Sequence, residues 1–397
     1  MLYNIINTPV GVKTDSENQM DFDFTEEQKM IRRVARDFSR KEIAPAAAYY
    51  DRTAEFPHEI QAKARKLGLI NVVIPEEYGG SGLSAIEMIL VTEELAWGCA
   101  GIAVGGIGIN TLTAQPILIA GDEDQKKKYL GILSEGFGSY CVTEPNAGSD
   151  VASMRASARK LRDKYILNGQ KTWISNGKEA SFFVVFAKTS PGDGHKGMSA
   201  FIVDRDLPGV EVSKKLAKMG QRASDACEVV FKDVELPPDS LLGNEGDGFK
   251  LAMKAFDHTR PLIAALGVGI SQRSLDECIS YSKEREAFGR PIANFQGVSF
   301  KIAEMGMRTQ ASRLLAYKAA WLAARGEKNT LEASYAKTFA SDTAMWAATE
   351  AVQIHGGYGY SEEYPLEKLM RDAKVLQIYE GTNEIQRVVM VKELTRD

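Results

Sequence analysis

The segment Tyr140-Cys141-Val142-Thr143-Glu144-Pro145-Asn146-Ala147-Gly148-Ser149-Asp150 marks the point at which the character of the sequence changes. Before it, apolar residues recur at the spacing of helices. After it come short β-prone runs, Phe182–Phe186, Ala200–Val203 and Val229–Phe231, bounded by Gly, Pro, Asp and Asn as strands are. The segment itself is polar and rich in small residues. Its backbone could approach a ligand ring or a phosphate closely, although a domain linker has the same composition.

Upstream of this segment the sequence predicts a helical domain. Residues Thr25–Gln28 form a capping box for a helix whose apolar pattern stops at Pro45. Further helices are predicted for 59–67 and 86–95, with a turn-rich break at 75–82 between them.

Downstream, the strands are not separated by helices, which predicts a small antiparallel sheet or barrel and not βαβ units. Residues Lys164–Lys171 are expected to form a hairpin with an Asn-Gly turn. Helix returns near Gly246, and the long periodic stretches Phe249–Lys283, Gln296–Arg325 and Thr330–Gln353 indicate a helical bundle. The fold class is therefore α+β, and the predicted parts are a flexible N-terminal segment 1–20, a helical domain 21–138, a middle antiparallel β domain 139–245 and a helical-bundle domain 246–397.

Composition argues against several classes of protein. The formal net charge is −4 and the C-terminal end is mixed in charge, so no nucleic-acid partner is expected. No apolar run reaches about 18 residues, so no membrane span is expected. Four scattered cysteines and four scattered histidines indicate neither a metal site nor a disulfide framework. The match of Gly80–Ala85 to G-x-G-x-x-A lies among helices, which argues against a Rossmann site.

Three segments contain residues that ordinary packing does not require. They are the Tyr140–Asp150 segment, Arg285–Gly289 and Tyr379–Glu384. Arg285 at a helix end could bind a phosphate, and Glu380 with Gly381 interrupts helix near the C-terminus. Taken alone, the composition of the first segment favours a domain linker and the second favours a surface arginine, while a helix-capping turn would explain the third equally well.

Together with further motifs in the same order, these segments resemble the acyl-CoA dehydrogenase family, and specifically its medium-chain branch. The resemblance runs from about Asp23 to about Leu394. It is carried by Pro75–Gly80, Tyr140–Asp150, Trp173–Gly177, Phe256–Pro261, Gln353–Gly359, Met370–Lys374 and Gln377–Thr382.

The resemblance implies a fold with an N-terminal helical domain, a middle β domain and a C-terminal four-helix bundle, assembled as a homotetramer in which FAD crosses a subunit interface. It also implies the residues that bind FAD. These are Tyr140, Val142, Thr143, Gly148, Ser149, Trp173, Ile174, Ser175, Arg285, Phe288, Gln296, Gln353, Gly356, Gly357, Thr382 and Glu384.

The implied reaction is the α,β-dehydrogenation of a straight-chain, medium-length acyl-CoA to the trans-2-enoyl-CoA in fatty acid β-oxidation. Glu380 would remove the α-proton, flavin N5 would take the β-hydride, and an electron-transfer flavoprotein would receive the electrons. Thr259 stands where the isovaleryl and long-chain branches carry their base. The resemblance therefore implies that the base of this chain is at the commoner position, Glu380. Substrate contacts are implied for Ser149, Phe256, Asp257, Thr259, Arg260, Tyr379 and Gly381.

The resemblance leaves some alternatives open. A short- or branched-chain acyl-CoA dehydrogenase differs mainly in its acyl pocket, where the loop Gly101–Asn110 departs from the medium-chain pattern, and Ala287 stands where many relatives carry a polar side chain that contacts the cofactor. An acyl-CoA oxidase usually has a longer chain, and a flavin-bearing DNA-binding relative would need a basic groove. The expected location is the mitochondrial matrix in a eukaryote, after removal of a transit peptide, or the cytoplasm in a bacterium.

Overall fold

The N-terminal part of the chain is helical in the computed structural model, which describes residues 23–190 and 192–396. The predicted flexible segment 1–20 lies outside these described residues. Thr25 caps the first helix through the predicted box, because its hydroxyl accepts the N–H of Gln28 while the Gln28 side chain accepts the N–H of Thr25. The helices are α1 (Glu26–Phe38), α2 (Ala44–Thr53), α3 (His58–Lys66), α4 (Ala85–Ala103), α5 (Ile109–Ala120), α6 (Glu123–Gln125) and α7 (Gly131–Glu135).

Two expectations for this part were wrong. The helix does not stop at Pro45, because a π-helical turn, Ser39–Ile43, leads from α1 directly into α2. Pro45 lies in the first turn of α2, directly after this π-turn, so the chain stays helical although Pro45 has no N–H to donate. The predicted loop Gly101–Asn110 is helical too, since α4 joins α5 through a second π-turn, Val104–Gly108.

The helical stretch Ala85–Ala120 is long and apolar enough to cross a membrane by length and composition, but 89% of its most apolar window is buried inside the protein. This burial is explained by contacts of α4 with the C-terminal helices. The apolarity therefore matches a core helix.

The middle part is a sheet of the strands β1 (Phe137–Cys141), β2 (Ser157–Leu161), β3 (Lys164–Ser175), β4 (Ala180–Lys188), β5 (Met198–Asp204), β6 (Val210–Val212), β7 (Ala226–Leu236) and β8 (Leu241–Leu242). Their order across the sheet is β6-β7-β3-β2-β4-β5-β8, and β1 pairs with β4. Most pairs are antiparallel, as predicted, while β1 runs parallel to β4 with Tyr140 opposite Val184. Along Phe182–Phe186 the side chains alternate between two hydrophobic clusters on opposite faces of the sheet.

The hairpin predicted for Lys164–Lys171 was wrong. β3 continues through Asn168 and Gly169, and the turn lies earlier, at Arg162 and Asp163, between β2 and β3. Gly169 has φ 152°, and the register with β7 shifts at this point. The Asn-Gly pair therefore marks a β-bulge, since a glycine inside a strand favours a bulge when neighbouring strands pair on both sides.

The C-terminal part is a helical bundle in which small residues allow close approach. Gly267, in the first long helix of the bundle, packs so tightly that a Cβ there would lie 2.8 Å from the carbonyl oxygen of Ala340 in the third. The helices and the short hairpin between the first two are α8 (Gly248–Glu284), β9 (Glu286–Ala287), β10 (Arg290–Pro291), α9 (Gln296–Ala324), α10 (Thr330–His355), α11 (Gly357–Tyr360), α12 (Leu366–Lys374) and α13 (Asn383–Leu394).

The predicted order of helices, strands and helices is confirmed. The three long helices begin and end within two residues of their predicted positions, and the largest difference is at the C-terminal end of α10, which ends at His355 and not at Gln353. The domain boundaries at 138/139 and 245/246 stay predictions.

Candidate active site

Glu380 stands in a strained turn between Val375–Gln377 and α13. Its φ is 52° and that of Gly381 is 86°, so two successive residues are left-handed, which is rare for a glutamate. Gln386, one turn into α13, donates its amide N–H to the carbonyl oxygens of Glu380 and Gly381 at 3.1 and 3.2 Å. The first turn of the helix therefore holds the conformation that presents the Glu380 side chain.

The Glu380 carboxylate faces α8, where the Thr259 hydroxyl donates to Oε2 at 2.7 Å. Oε1 accepts no hydrogen bond from the residues that the structure describes. Burial raises the pKa of Glu380 to about 7, against the lowering effects of the Thr259 hydrogen bond and of the Arg260 and Lys337 charges. A carboxylate with a pKa near neutrality and one unbonded oxygen is suited to act as a general base.

Arg260 and Asp257, two predicted substrate residues, form a pair beside this carboxylate. Arg260 donates to Asp257 at 2.8 Å, and Nε of Arg260 lies 3.5 Å from the Glu380 carbonyl oxygen. Thr330 at the start of α10 also donates to Asp257, at 2.7 Å. These contacts orient α8 against the Glu380 turn, and a role of the two side chains in substrate binding stays a prediction.

Aromatic side chains border the site. The Tyr140 ring lies 5.0 Å from that of Phe186 and 5.6 Å from that of Phe256. The Tyr140 hydroxyl is buried with no hydrogen-bond partner among the described residues, and burial raises its pKa well above the usual value. A buried hydroxyl without a partner is unusual and fits a place where a ligand group completes the bonding.

The segment that follows Tyr140 is fixed by a buried ion pair that the sequence did not reveal. Lys171 is fully buried and donates to Glu144 at 2.8 Å and to the Val142 carbonyl at 3.1 Å. Glu144 also accepts the backbone N–H groups of Arg155 and Ala156. The pair anchors the segment and leaves Gly148 and Ser149 exposed.

Trp173 is presented to solvent by a bulge in β3. Its φ is 59° and 59% of its surface is exposed, while the register with β7 shifts between Lys171 and Ile174. The Ile174 side chain is buried in the sheet core, so of this residue only the backbone could face a ligand. A strained, exposed tryptophan beside a polar segment fits contact with a planar ring.

Six of the predicted cofactor residues lie at the other end of the bundle. Tyr281 of α8 stacks on His355 of α10 at 4.1 Å, which brings together the helix ends that precede Arg285 and Gly356. Phe288 is 95% exposed and has φ 51°. The six exposed residues are Arg285, Phe288, Gln296, Gln353, Gly356 and Gly357.

One chain does not bring these six residues together with Glu380. Lys337, which contacts the Glu380 turn, and His355 are 18 residues apart on α10, or about 27 Å along the helix axis. Of the remaining predicted residues, Thr382 caps α13 by accepting the N–H of Ile385, and Glu384 is exposed. Tyr379 is held by Gln221, whose amide lies 3.4 Å from the phenolic oxygen.

Both groups of residues fit the expected FAD. Exposed aromatic rings can contact a planar ring system, and the exposed Arg285 forms no ion pair with the described residues and could meet a phosphate. A Cβ placed on Gly148, Gly356 or Gly357 would meet nothing within 4 Å, so open space adjoins these backbone positions. The flavin end would lie with Tyr140 and Trp173, and the phosphate and adenosine ends with Arg285 and Gly357.

Sequence reasoning missed Lys337, Asn383 and Gln386. Lys337 is fully buried and donates to the Gly381 carbonyl and to the Asn383 side chain, both at 2.8 Å. One signal could have found it. Lys337 falls on the same helical stripe as Ala333, Ala340 and Ala344, where a charged residue has no reason to be unless it has a buried partner.

Family models match almost the whole chain. They describe the N-terminal domain of acyl-CoA dehydrogenase over residues 25–136, the middle domain over 139–234 and the C-terminal domain over 246–395. The first two models meet where the helical part gives way to β1, and the third begins two residues before α8.

Similar proteins match this chain over nearly the full length of both sequences. An acyl-CoA dehydrogenase of Bacillus subtilis is 47% identical over 93% of this chain and 98% of that protein. A probable medium-chain specific mitochondrial acyl-CoA dehydrogenase of Caenorhabditis briggsae is 43% identical over 95% and 92%.

Solved structures agree. The butyryl-CoA dehydrogenase of Megasphaera elsdenii is 43% identical with a TM-score of 0.92, over 95% of this chain and all of that one. A chain in a structure described as an electron transferring flavoprotein of Acidaminococcus fermentans is 44% identical with the same TM-score and coverage.

Proposed function

The chain belongs to the acyl-CoA dehydrogenase family, and from this we propose that it oxidises straight-chain acyl-CoA of medium length to trans-2-enoyl-CoA, with Glu380 as the base. It is an oxidoreductase that acts on acyl-CoA, and its cofactor is FAD. The observation that carries the proposal is the Glu380 carboxylate, held by Thr259 in a strained turn with its pKa raised to about 7.

The α-proton of a thioester is weakly acidic, so its removal needs a base in a water-poor site and donors for the thioester oxygen. Oε1 of Glu380 is available for the proton. The backbone N–H of Glu380 donates to no acceptor among the described residues, so it can donate to that oxygen. FAD, when bound, supplies the redox chemistry by accepting the β-hydrogen with its electron pair.

The left-handed turn explains how one residue provides both groups. A positive φ turns the N–H and the side chain of Glu380 away from the hydrogen bonds of a helix. The carbonyl oxygen of Glu380 accepts hydrogen bonds from Gln386 and Arg260 instead. Losing one donor to an oxyanion typically lowers the rate by about 100-fold or more. The strain in the turn therefore has a function.

Medium chain length and an electron-transfer flavoprotein as acceptor are parts of the proposal. The medium-chain relative and the butyryl-CoA dehydrogenase support chains of short to medium length, and the structure named for an electron transferring flavoprotein supports the acceptor. A homotetramer would bring the Arg285 end of one subunit toward the Glu380 end of another. Work in fatty acid β-oxidation, and a mitochondrial or bacterial cytoplasmic location, also stay proposals.

An anaerobic titration with octanoyl-CoA tests the function. The flavin absorbance should bleach in the wild type and not in Glu380→Gln, which keeps the shape of the side chain but cannot accept a proton. Equal bleaching in both proteins would exclude Glu380 as the base. Turnover of butyryl-, octanoyl- and palmitoyl-CoA should peak at octanoyl-CoA, and a clear preference for either extreme would contradict medium length.

A further inference from the structure

Lys337 is a buried lysine with no carboxylate partner within 4 Å among the described residues. It lies in the middle of α10, none of its surface is exposed, and it donates to the carbonyl of Gly381 and the amide oxygen of Asn383, both at 2.8 Å. A buried ammonium group is unfavourable unless it is well bonded. Both of its bonds go to the segment that follows Glu380.

Asn383 is itself oriented by α10. Its Nδ2 donates to Asp342 at 2.7 Å and to Ser341 at 2.9 Å, which turns its Oδ1 toward Lys337. The hydrogen bond between Lys337 and Asn383 therefore joins the middle of α10 to the start of α13, directly after the left-handed turn. Gln386 binds the same Gly381 carbonyl from α13.

We propose that Lys337 is a positioning residue for the base: its ammonium group fixes the Gly381 carbonyl, and thereby the turn of Glu380, and its charge favours the ionised carboxylate. This inference rests on the proposed function of Glu380. It adds a residue that contacts the segment after Glu380 and acts on the base through the turn and through its charge.

The charges around the site support this role. Arg260 from α8 and Lys337 from α10 lower the pKa of Glu380, while burial raises it. Burial and the Arg260 charge lower the pKa of Lys337, and the nearby carboxylates Glu380, Asp342 and Glu384 raise it; the net result is a pKa of about 8. Lys337 therefore still carries its proton near pH 7, where Glu380 changes charge.

Two variants separate position from charge. Lys337→Gln removes the charge and keeps a hydrogen-bond donor at the end of a side chain that is one bond shorter, while Lys337→Met removes both the charge and the donor. Lys318→Met, at a half-exposed lysine on α9, is the matched control. The measurement is deuterium exchange at the α-carbon of 3-thiaoctanoyl-CoA in D₂O with the FAD-loaded enzyme, followed by mass spectrometry over pH 5 to 9. The β-sulfur leaves no hydrogen for dehydrogenation, so the α-proton moves to Glu380 and a deuteron returns.

We expect both variants to move the acid limb of exchange to higher pH, because removal of a cation disfavours the ionised carboxylate. Lys337→Met should also lower the plateau rate by about 10-fold or more, since a misplaced base reacts slowly. A folded Lys337→Met protein with the limb and the plateau of the wild type would overturn the proposal.

A second measurement needs neither substrate nor activity. The effect of Glu380→Gln on the unfolding midpoint grows with pH from the unfolded pKa and levels off at the pKa of Glu380 in the folded protein. The pH of this levelling-off should move to higher values in the Lys337→Gln background. No movement would overturn the role of the Lys337 charge. A wild type that neither exchanges nor bleaches would instead remove the proposed function, and this second measurement would still decide the effect of Lys337 on Glu380.

Discussion

The Thr259 hydroxyl lies 2.7 Å from Oε2 of Glu380, a residue 121 positions later in the chain. The hydroxyl is fully buried, and α8 and the turn before α13 meet at this bond. The position at which, by the resemblance, other branches of the family carry their base thus carries a hydrogen-bond donor to the proposed base.

Replacement of Thr259 by Val should weaken the base. The shape of the side chain is kept, but the hydrogen bond that favours the ionised carboxylate is lost, so the Glu380 pKa rises above about 7. We expect kcat/KM at pH 7 to fall by about 10-fold and its acid limb to move to higher pH. Thr259→Ser keeps the hydroxyl and should behave as the wild type, and an unmoved limb in Thr259→Val would contradict the role of this bond.

Glu380 should lower the stability of the fold as the pH rises. Its pKa is 4.5 when unperturbed and about 7 in the folded chain, so the folded state keeps a proton that the unfolded chain releases in this window. Stability contributed by the raised pKa is complete below pH 4.5 and is lost as the pH rises through 7.

Glu380→Gln, which is always neutral, should therefore match the wild type near pH 4.5 and exceed its free energy of unfolding above pH 7 by up to about 3 kcal/mol. Denaturant unfolding at both pH values checks this. An advantage for the variant that is the same at both pH values would indicate a packing effect and not ionisation.

Replacement of Gly381 by Ala should disturb the turn more than its conformational strain alone explains. Gly381 has φ 86°, and a Cβ there would lie 2.5 Å from Nε2 of Gln386, the donor that holds the turn. Gly326→Ala is the matched control, since Gly326 has φ 68° with nothing within 4 Å of the added Cβ.

Both variants should lose about 1 kcal/mol of stability from the strained backbone, while only Gly381→Ala should lower kcat, by about 100-fold. Thermal unfolding and steady-state kinetics measure the two effects. Equal kinetics in the two variants would show that the contact with Gln386 has no part in placing the base.

Replacement of Lys171 by Met should loosen the segment predicted to bind the flavin. Glu144 would keep its backbone donors but lose its buried cation, and removal of one partner of a buried pair typically costs about 3–5 kcal/mol. We expect a lower free energy of unfolding and weaker FAD binding by the apoprotein, measured by flavin fluorescence.

The double variant Lys171→Met with Glu144→Gln removes the unpaired charge and should recover part of the stability. A double variant no more stable than Lys171→Met alone would show that the unpaired carboxylate is not the cause.

Long periodic helices could be predicted from the sequence almost to the residue, because α8, α9 and α10 are set by local apolar spacing. Local rules failed where two structures share one signal: Asn168-Gly169 fits a hairpin turn or a bulge, and Pro45 fits a helix end or a first turn. The sequence indicated which segments form the site, but not which side chains of those segments contact each other. Lys337 and Asn383 are 46 residues apart, and only the packing of α10 on α13 brings them together.

The spacing between the two ends of α10 limits how the chain can change length. One added residue between Lys337 and His355 would move one end by 1.5 Å and rotate it by about 100° relative to the other. The Glu380 turn and the stacked Tyr281–His355 pair could not both keep their contacts after such a change. Insertions and deletions in natural or engineered variants should therefore be confined to segments outside this helix, such as the turn around Gly326 or residues 361–365.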